Sequence, residues 1–240
     1  MAEKYTAVIL AAGQGKRMGS SIHKQYLLLH GKPILYYSLK AFEESPVDEM
    51  ILVTGKGEEE FCQKEIIDKY HLKKIRRIVE GGAERYDSVY HGLCAIDKTD
   101  YVLIHDGARP FVDNEIILRS MEAAKAYQAC VVGMPVKDTI KVIDEKEFAK
   151  ETPDRETLWM IQTPQAFSYP LIYESYKTLH NSLTEAKQSI SSEEIKVTDD
   201  AMVVELFSDV SVKLVRGSYQ NIKITTPEDL RVAEVFSEKK

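Results

Sequence analysis

The chain is poor in everything that would staple, repeat or anchor it. Only three of its 240 residues are cysteine, Cys62, Cys94 and Cys130, with no C-x-x-C pair and no histidine beside them at metal-ligand spacing. A disulfide scaffold and a thiolate metal site are therefore excluded, and reduced intracellular thiols are expected. Cys130, inside the run Ala129-Cys130-Val131-Val132, is expected to be a small buried hydrophobe. Twelve glycines and eight prolines are too few for a collagenous or low-complexity chain. No run approaches the roughly 18 unbroken apolar residues of a membrane span. Met1 to Tyr5 offers one lysine and no signal-peptide core, so a soluble cytoplasmic protein is expected. Positive charge is also short: 32 Lys+Arg against 38 Asp+Glu leave a formal net charge of −6. A nonspecific nucleic-acid binder needs a basic surplus to neutralise phosphates, so an anionic ligand must here be held by a local cluster of cations.

What is present, 44% hydrophobic and 29% charged residues, suits one domain over residues 1–240. Apolar runs alternate with helical patterns, the signature of βα units. Strands are expected at Ala7 to Leu10, Met50 to Val53, Ile75 to Val79, Tyr101 to Ile104, Ala129 to Met134, Val212 to Val215 and Ile222 to Ile224. Helices are expected at Ile34 to Phe42 after Pro33, at Gly57 to Tyr70 with three early glutamates, and at Glu84 to Ile96. Asn114 to Tyr127 should form another behind an Asp113 N-cap, and a final helix should open at Thr226-Pro227-Glu228-Asp229. Alternation over Asp138 to Ile143, a turn at Asp144-Glu145-Lys146 and a return over Phe148 to Thr152 predict a β-hairpin off the main sheet. The polar stretch Asn181 to Glu194 reads as a loop or a frayed helix. The fold class is thus α/β, a mainly parallel twisted sheet flanked by helices, with a protruding hairpin arm over residues 136–158.

The strongest local signal is Leu10-Ala11-Ala12-Gly13-Gln14-Gly15-Lys16-Arg17-Met18-Gly19, with Lys24 following, directly after the first strand. Small side chains at Ala11, Ala12, Gly13 and Gly15 let backbone N–H groups approach phosphate oxygens, and Lys16, Arg17 and Lys24 add charge where α/β sheets bind ligands. Two familiar phosphate loops are absent. No glycine stands five before Lys16 and Arg17 replaces the P-loop Ser/Thr, while Met18 occupies the third glycine position of the dinucleotide fingerprint. A D-x-D metal motif is also lacking, which weighs against a glycosyltransferase.

Further motifs follow in order: Gly81-Gly82-Ala83-Glu84-Arg85-Tyr86-Asp87-Ser88-Val89, His105-Asp106-Gly107-Ala108-Arg109-Pro110, Val136-Lys137-Asp138-Thr139, Asp154-Arg155-Glu156-Thr157-Leu158-Trp159, Gln162-Thr163-Pro164-Gln165, Thr198-Asp199-Asp200-Ala201 and Asn221-Ile222-Lys223-Ile224-Thr225. Read singly, each has an ordinary alternative. Gly81-Gly82 and Ser88 could be a plain turn or could read a base edge through backbone groups and a hydroxyl. Asp106 at a strand end could cap a turn, bind Mg²⁺ or bond a ribose. Thr163-Pro164 could be an extended bend, and Arg109, Arg155 and Lys223 could be solvated surface cations. His105 is not needed as a general base if the nucleophile is a phosphate, which is already ionised near neutral pH.

Together with the Leu10 to Met18 loop these motifs resemble the 2-C-methyl-D-erythritol 4-phosphate cytidylyltransferase family of the non-mevalonate isoprenoid pathway, over essentially the whole chain. The resemblance implies a Rossmann-like nucleotidyltransferase fold and transfer of CMP from CTP to a small polyol phosphate with release of pyrophosphate. It implies Arg17, Lys24, Arg155 and Lys223 as catalytic residues. Substrate binding would fall to Ala11, Ala12, Gly13, Gly15, Gly81, Gly82, Arg85, Ser88, Asp106, Arg109, Thr139 and Thr163, and Mg²⁺ to Asp106. It further implies a homodimer in which the arm carries Thr139 and Arg155 to the partner's acceptor site. Two other functions share part of the pattern: a ribitol-5-phosphate cytidylyltransferase, and a catalytically silent nucleotide-binding regulator, which should have lost Arg17, Lys24 or Lys223. Neither nucleic acid nor membrane is an expected partner.

Overall fold

The structure, a computed structural model, describes residues 3–13, 23–186 and 196–237. In chain order these form β1 (Tyr5–Ala11), β2 (Leu28–Leu29), β3 (Lys32–Pro33), α1 (Ile34–Glu44), β4 (Glu49–Thr54) and α2 (Glu59–Cys62), which continues as a π-helical stretch, Gln63–Asp68. There follow β5 (Ile75–Glu80), α3 (Arg85–Cys94), β6 (Tyr101–Asp106), α4 (Asn114–Tyr127), β7 (Ala129–Pro135), β8 (Val142–Ile143), β9 (Ala149–Glu151) and β10 (Trp159–Ser168). The chain then forms α5 (Tyr169–Ala186), α6 (Asp200–Phe207), β11 (Lys213–Arg216) and α7 (Pro227–Ser237).

Seven strands form one sheet in the order β11-β7-β10-β6-β1-β4-β5. Every neighbouring pair is parallel except the two made by β10, which runs antiparallel to both β6 and β7. The near-continuous apolar runs follow from burial on both faces. Ala7, Ile9 and Leu103 join one core with Leu35, Leu39 and Phe42 of α1 and Ile116 and Ile117 of α4. Val8, Val102 and Ile104 point the other way, against Val89 and Leu93 of α3 and Ile172 and Tyr176 of α5. After β1 the chain goes to β4 on one side and later returns to β6 on the other. This switch leaves a crevice beyond the carboxyl ends of β1 and β6, where such sheets place ligands.

The expected helix starts are visible as hydrogen bonds. Asp113 Oδ1 accepts the Ile116 N–H at 2.8 Å, and Asp229 Oδ2 accepts N–H bonds from Thr225 and Thr226 at the head of α7. Cys62 and Cys130 are buried thiols, pushed by that burial up to about 11 and about 12, so neither is a thiolate near neutral pH. The expected hairpin is present as β8 and β9.

One expectation needs correcting, and two open readings take a definite form. Ile222 to Ile224 is not a strand: Ile222 N–H turns back to the Gln220 carbonyl at 2.7 Å, Ile224 N–H reaches the Ala108 carbonyl at 2.9 Å, and Ile224 is buried beside Leu29, Ile34 and Phe111. Thr163-Pro164, which could have been an extended bend, lies within a strand, Trp159–Ser168, at an irregular register between Ile161 and Gln165. Asn181 to Ala186 belongs to α5, while 187–195 lie outside the described residues.

Gly92 shows how tightly α3 seats on the sheet. A Cβ there would stand 2.5 Å from Val8 Cγ1 and 3.0 Å from Val53 Cγ2. Helix propensity alone predicts that Gly92→Ala stabilises the protein by about 1 kcal/mol. Overpacking against two buried strand residues opposes this and costs about 1–3 kcal/mol, so the variant is expected to unfold at lower urea concentration than the parent. A raised midpoint would show that α3 can lift off the sheet without loss.

Candidate active site

At the carboxyl edge of β1 and β6 lies a cleft of about 510 Å³. It is lined by Ala11 at the end of β1 with Ala12 and Gly13 after it, by Gly82, Ser88 and their neighbours, and by Asp106 and Lys223. Lys24 also lines it, carried on a 3-10 turn, Lys24–Tyr26. Gln25, 2% exposed, fixes that turn by donating its amide to the Ala11 carbonyl. The expected loop residues Gly15 and Arg17, with Lys16, lie outside the described residues.

The glycine turn is needed for its thinness. A Cβ on Gly81 would come 2.5 Å from Ala12 Cβ, and one on Gly82 would come 2.2 Å from Asp87 Cβ. Ser88 Oγ accepts the Gly82 N–H at 3.1 Å and donates to the Glu84 carbonyl at 3.2 Å. Its first task is therefore to hold the turn that presents backbone groups to the cleft, a refinement of the base-reading role expected for it. Glu84 and Asp87 complete a capping box at the start of α3, which places Arg85 at the cleft.

Asp106 is the centre of the charge arrangement. Lys223 Nζ is 2.7 Å from Oδ2, Arg109 Nε is 3.9 Å from the same oxygen, and Arg85 Nε is 3.4 Å from Oδ1. Burial works to raise the Asp106 pKa, but Arg85, Lys223 and Arg109 outweigh it and hold this carboxyl well below the usual carboxylate range. Arg85 is gripped from behind: both terminal nitrogens donate to the fully buried Asp200 carboxylate at 2.8 Å, and Tyr176 donates its hydroxyl to the same group. Burial opposes the Arg85 charge, yet Asp200 and Asp106 keep its pKa above the ordinary value. Arg109 reaches the Asn221 carbonyl at 2.8 Å, tying the Lys223 segment to the loop after β6.

His105 is buried and takes no part in the cleft. Burial drives its pKa down to about 3, with the Asp106 charge opposing, so the ring is neutral near pH 7. The Asp106 N–H donates to Thr163 Oγ1 at 3.1 Å, the Thr163 hydroxyl lies 3.0 Å from His105 Nδ1, and His105 Nε2 lies 3.3 Å from the Arg109 carbonyl. Nε2 therefore carries the proton and Nδ1 accepts from threonine. Thr163, expected beside substrate, lines a smaller cleft next to the first, and its hydroxyl also positions Asp106 through this chain of bonds.

A second cleft, about 290 Å³, shares Arg85, Asp106 and Lys223 with the first and adds Arg109, Thr163 and Thr198. Thr139 and Arg155 line neither. Both are exposed on the arm, and Arg155 Nη1 donates to the Lys137 carbonyl at 3.1 Å. Sequence reasoning had not singled out Gln25, Asp200, Asn221 or Thr198 as site residues, although the last three stand in motifs it quoted. Among the described residues there is no group of three or more His, Cys, Asp or Glu able to cage a metal. Asp106 still fits Mg²⁺, which is commonly held by one or two carboxylates together with phosphate oxygens, and among the described residues its Oδ1 meets Arg85 Nε at a long 3.4 Å.

Comparison with known proteins agrees with this geometry. Residues 5–239 match the family described as 2-C-methyl-D-erythritol 4-phosphate cytidylyltransferase. A protein of that name from Lachnospira eligens is 52% identical over 232 residues, covering 96% of this chain and 98% of its own. Another from Caldanaerobacter subterraneus is 49% identical, covering 98% and 99%. A crystal structure of 4-diphosphocytidyl-2C-methyl-D-erythritol synthase from Anaerococcus prevotii superposes with a TM-score of 0.84 at 36% identity, covering 98% of this chain and 96% of that one.

The neutral His105 sets a pH dependence of stability. Unfolded, its pKa returns to about 6.5, so between that value and about 3 the unfolded chain binds more protons and stability falls as pH falls. One such group contributes a slope of at most about 1.4 kcal/mol per pH unit. His105→Asn is expected to lose this share of the slope between pH 6 and 4.5, read as unfolding free energy in urea at each pH. Parallel curves for parent and variant would mean that His105 is not buried neutral.

Proposed function

The chain belongs to the 2-C-methyl-D-erythritol 4-phosphate cytidylyltransferase family, a family of nucleotidyltransferase enzymes, and on that premise we propose that its two clefts join CTP to 2-C-methyl-D-erythritol 4-phosphate. The products are 4-diphosphocytidyl-2-C-methyl-D-erythritol, an intermediate of isoprenoid precursor synthesis, and pyrophosphate. The observation that carries this reading is the shared cationic wall: Arg85, Asp106 and Lys223 belong to both clefts. A reaction between two phosphorylated substrates requires such a boundary. The nucleotide takes the larger cleft, with its base toward Gly81, Gly82 and Ser88 and its phosphates toward Ala11 to Gly13 and Lys24. The acceptor phosphate takes the smaller one, beside Arg109 and Lys223.

Its phosphate oxygen attacks the α-phosphorus in line, the bond to the bridging oxygen breaks, and pyrophosphate leaves. No proton has to be removed from the nucleophile, which agrees with a buried neutral His105 outside the cleft. The protein's task is to hold two anions together and to stabilise charge that grows on the α-phosphate and the leaving group. Lys24 and Arg17 serve the triphosphate side, while Lys223 and Arg109 hold the attacking phosphate. Asp106 would hold Mg²⁺, which would supply further charge neutralisation when bound.

The arm completes the site in a homodimer. Ile140, Val142, Ile143 and Phe148 are all exposed large apolar residues on the arm, with Phe148 at 69%, and such a patch favours association. A partner's arm would bring Thr139 and Arg155 to the acceptor cleft. Three free thiols and the absence, among the described residues, of any helix able to cross a membrane support a cytoplasmic location. Neither the ribitol phosphate nor the silent-regulator alternative is favoured, since the family and the relatives above all carry the methylerythritol phosphate name.

Pyrophosphate release with Mg²⁺, CTP and each acceptor tests the assignment: methylerythritol phosphate is expected to be the preferred acceptor, and a preference for ribitol 5-phosphate would overturn it. Lys24→Ala is expected to lower kcat by roughly 100-fold or more with the fold intact, because a charge-assisted contact made mainly in the transition state is lost. Mixing Arg155→Ala chains with Lys24→Ala chains should recover activity, because one of the two sites in a mixed dimer keeps both residues. Mixed dimers without recovery would place Arg155 in its own chain's site or outside catalysis.

A further inference from the structure

We infer that Glu58 is a positioning residue for Lys24, clamping the turn that carries this lysine to the carboxyl end of β4. The inference rests on the assignment of Lys24 to the triphosphate. From sequence, Glu58 belongs to a run of three glutamates suited to the first turn of a helix. The structure gives its side chain a different use. Glu58 stands at the N-cap of α2, yet its carboxylate makes no capping bond.

The carboxylate folds back instead. Gly57 has a φ of +75°, which turns the chain so that Glu58 N–H meets the Gly55 carbonyl at 3.1 Å while Gly55 N–H donates to Glu58 Oε2 at 3.0 Å. Gly55 has to be bare for this: a Cβ there would lie 2.7 Å from the same Oε2. Held so, and with only 17% of its side chain exposed, Glu58 receives the Tyr26 hydroxyl on Oε2 at 2.7 Å, and His23 Nδ1 approaches Oε1. Tyr26 is further fixed by its hydroxyl contact with Cys62 Sγ at 3.2 Å and by edge packing on Phe61.

His23 and Tyr26 bracket Lys24 and Gln25. The turn is therefore held on two sides, by Gln25 on the last residue of β1 and by the Tyr26 hydroxyl on Glu58. Between the two anchorages Lys24 lines the nucleotide cleft. A lysine has four rotatable side-chain bonds and gains precision only from the backbone that carries it. Loss of one anchorage should misplace its charge in the transition state while leaving the base and ribose contacts intact, so kcat should suffer more than nucleotide affinity.

A double-mutant cycle tests this. Glu58→Ala alone is expected to lower kcat about tenfold with KM for CTP changed less than about threefold, and Glu58→Gln, which keeps an oxygen acceptor, to recover part of the loss. Placed in a Lys24→Ala background, Glu58→Ala is expected to cost less than about twofold more, because the group it positions is gone. Tyr26→Phe, which removes only a hydroxyl, repeats the cycle if Glu58→Ala does not fold. An equal loss in both backgrounds, or a normal kcat for folded Glu58→Ala and Tyr26→Phe, overturns the inference while leaving the role of Lys24 standing. A normal kcat for Lys24→Ala itself removes that role, and this inference with it.

Discussion

The site depends on one carboxylate kept ionised where water is scarce. Removing a charge from water costs several kcal/mol, which geometry and partners must repay. Asp106 is 7% exposed, and its compensation comes from Arg85 on α3, Arg109 after β6 and Lys223 in the C-terminal segment. The dependence is mutual, because three cations converging on one cleft would repel each other without an anion among them. Asp200 takes up the remaining imbalance by neutralising Arg85 from the core side. Within this cluster two carboxylates face three cations, while Glu84 and Asp199 line the outer parts of the two clefts. Cations already fixed in place stabilise developing negative charge without having to reorganise during the reaction.

The topology can be understood as the means of assembling this cluster. Parallel strands deliver β1 and β6 with their carboxyl ends level, so that Leu10 is in register with Asp106. The single reversed strand, β10, then brings Thr163 against the Asp106 N–H. Its neighbour Gln165 accepts the Ala201 N–H and donates to Asp199, pinning the start of α6. That contact settles where Asp200 stands, and so where Arg85 points. A polar strand through the centre of the sheet would be a poor choice for stability alone. It is tolerated because nearly every one of its buried polar groups has a partner.

This division explains what the sequence could convey. The β1, β4, β6 and β7 strands were legible because burial on both faces makes each an unbroken apolar run, and α1, α3 and α4 because their apolar residues recur at helical spacing. The glycine and cation loop after β1 was legible from composition and position. The strand β10 was not, since Gln162, Thr163, Pro164 and Gln165 obey the chemistry of the site rather than the period of a strand. Ile222 to Ile224 had the reverse problem: alternation suggested a ladder, but its residues serve Asn221, Lys223 and a local core. Pairings such as Arg85 with Asp200, 115 residues apart, and Arg109 with the Asn221 carbonyl, 112 apart, carry no local signal. The motifs named these residues without saying which held which.

The same logic separates the two kinds of precision the cleft needs. In the smaller cleft cations are placed by other charges, and Asp106 at their centre is buried. In the larger cleft Lys24 is carried by a turn whose footings are the Gln25 amide on Ala11 and the Tyr26 hydroxyl on the Glu58 carboxylate. A buried charge network resists adjustment because moving one member leaves another uncompensated. A turn held by two hydrogen-bonded footings can yield slightly, since each bond can stretch without stranding a charge. An acidic chain of net charge −6 thereby confines its anion affinity to a few ångströms. Salt screens the remaining surface charge beyond about 8–10 Å, so attraction inside the cleft is set by the local cations rather than by the overall balance.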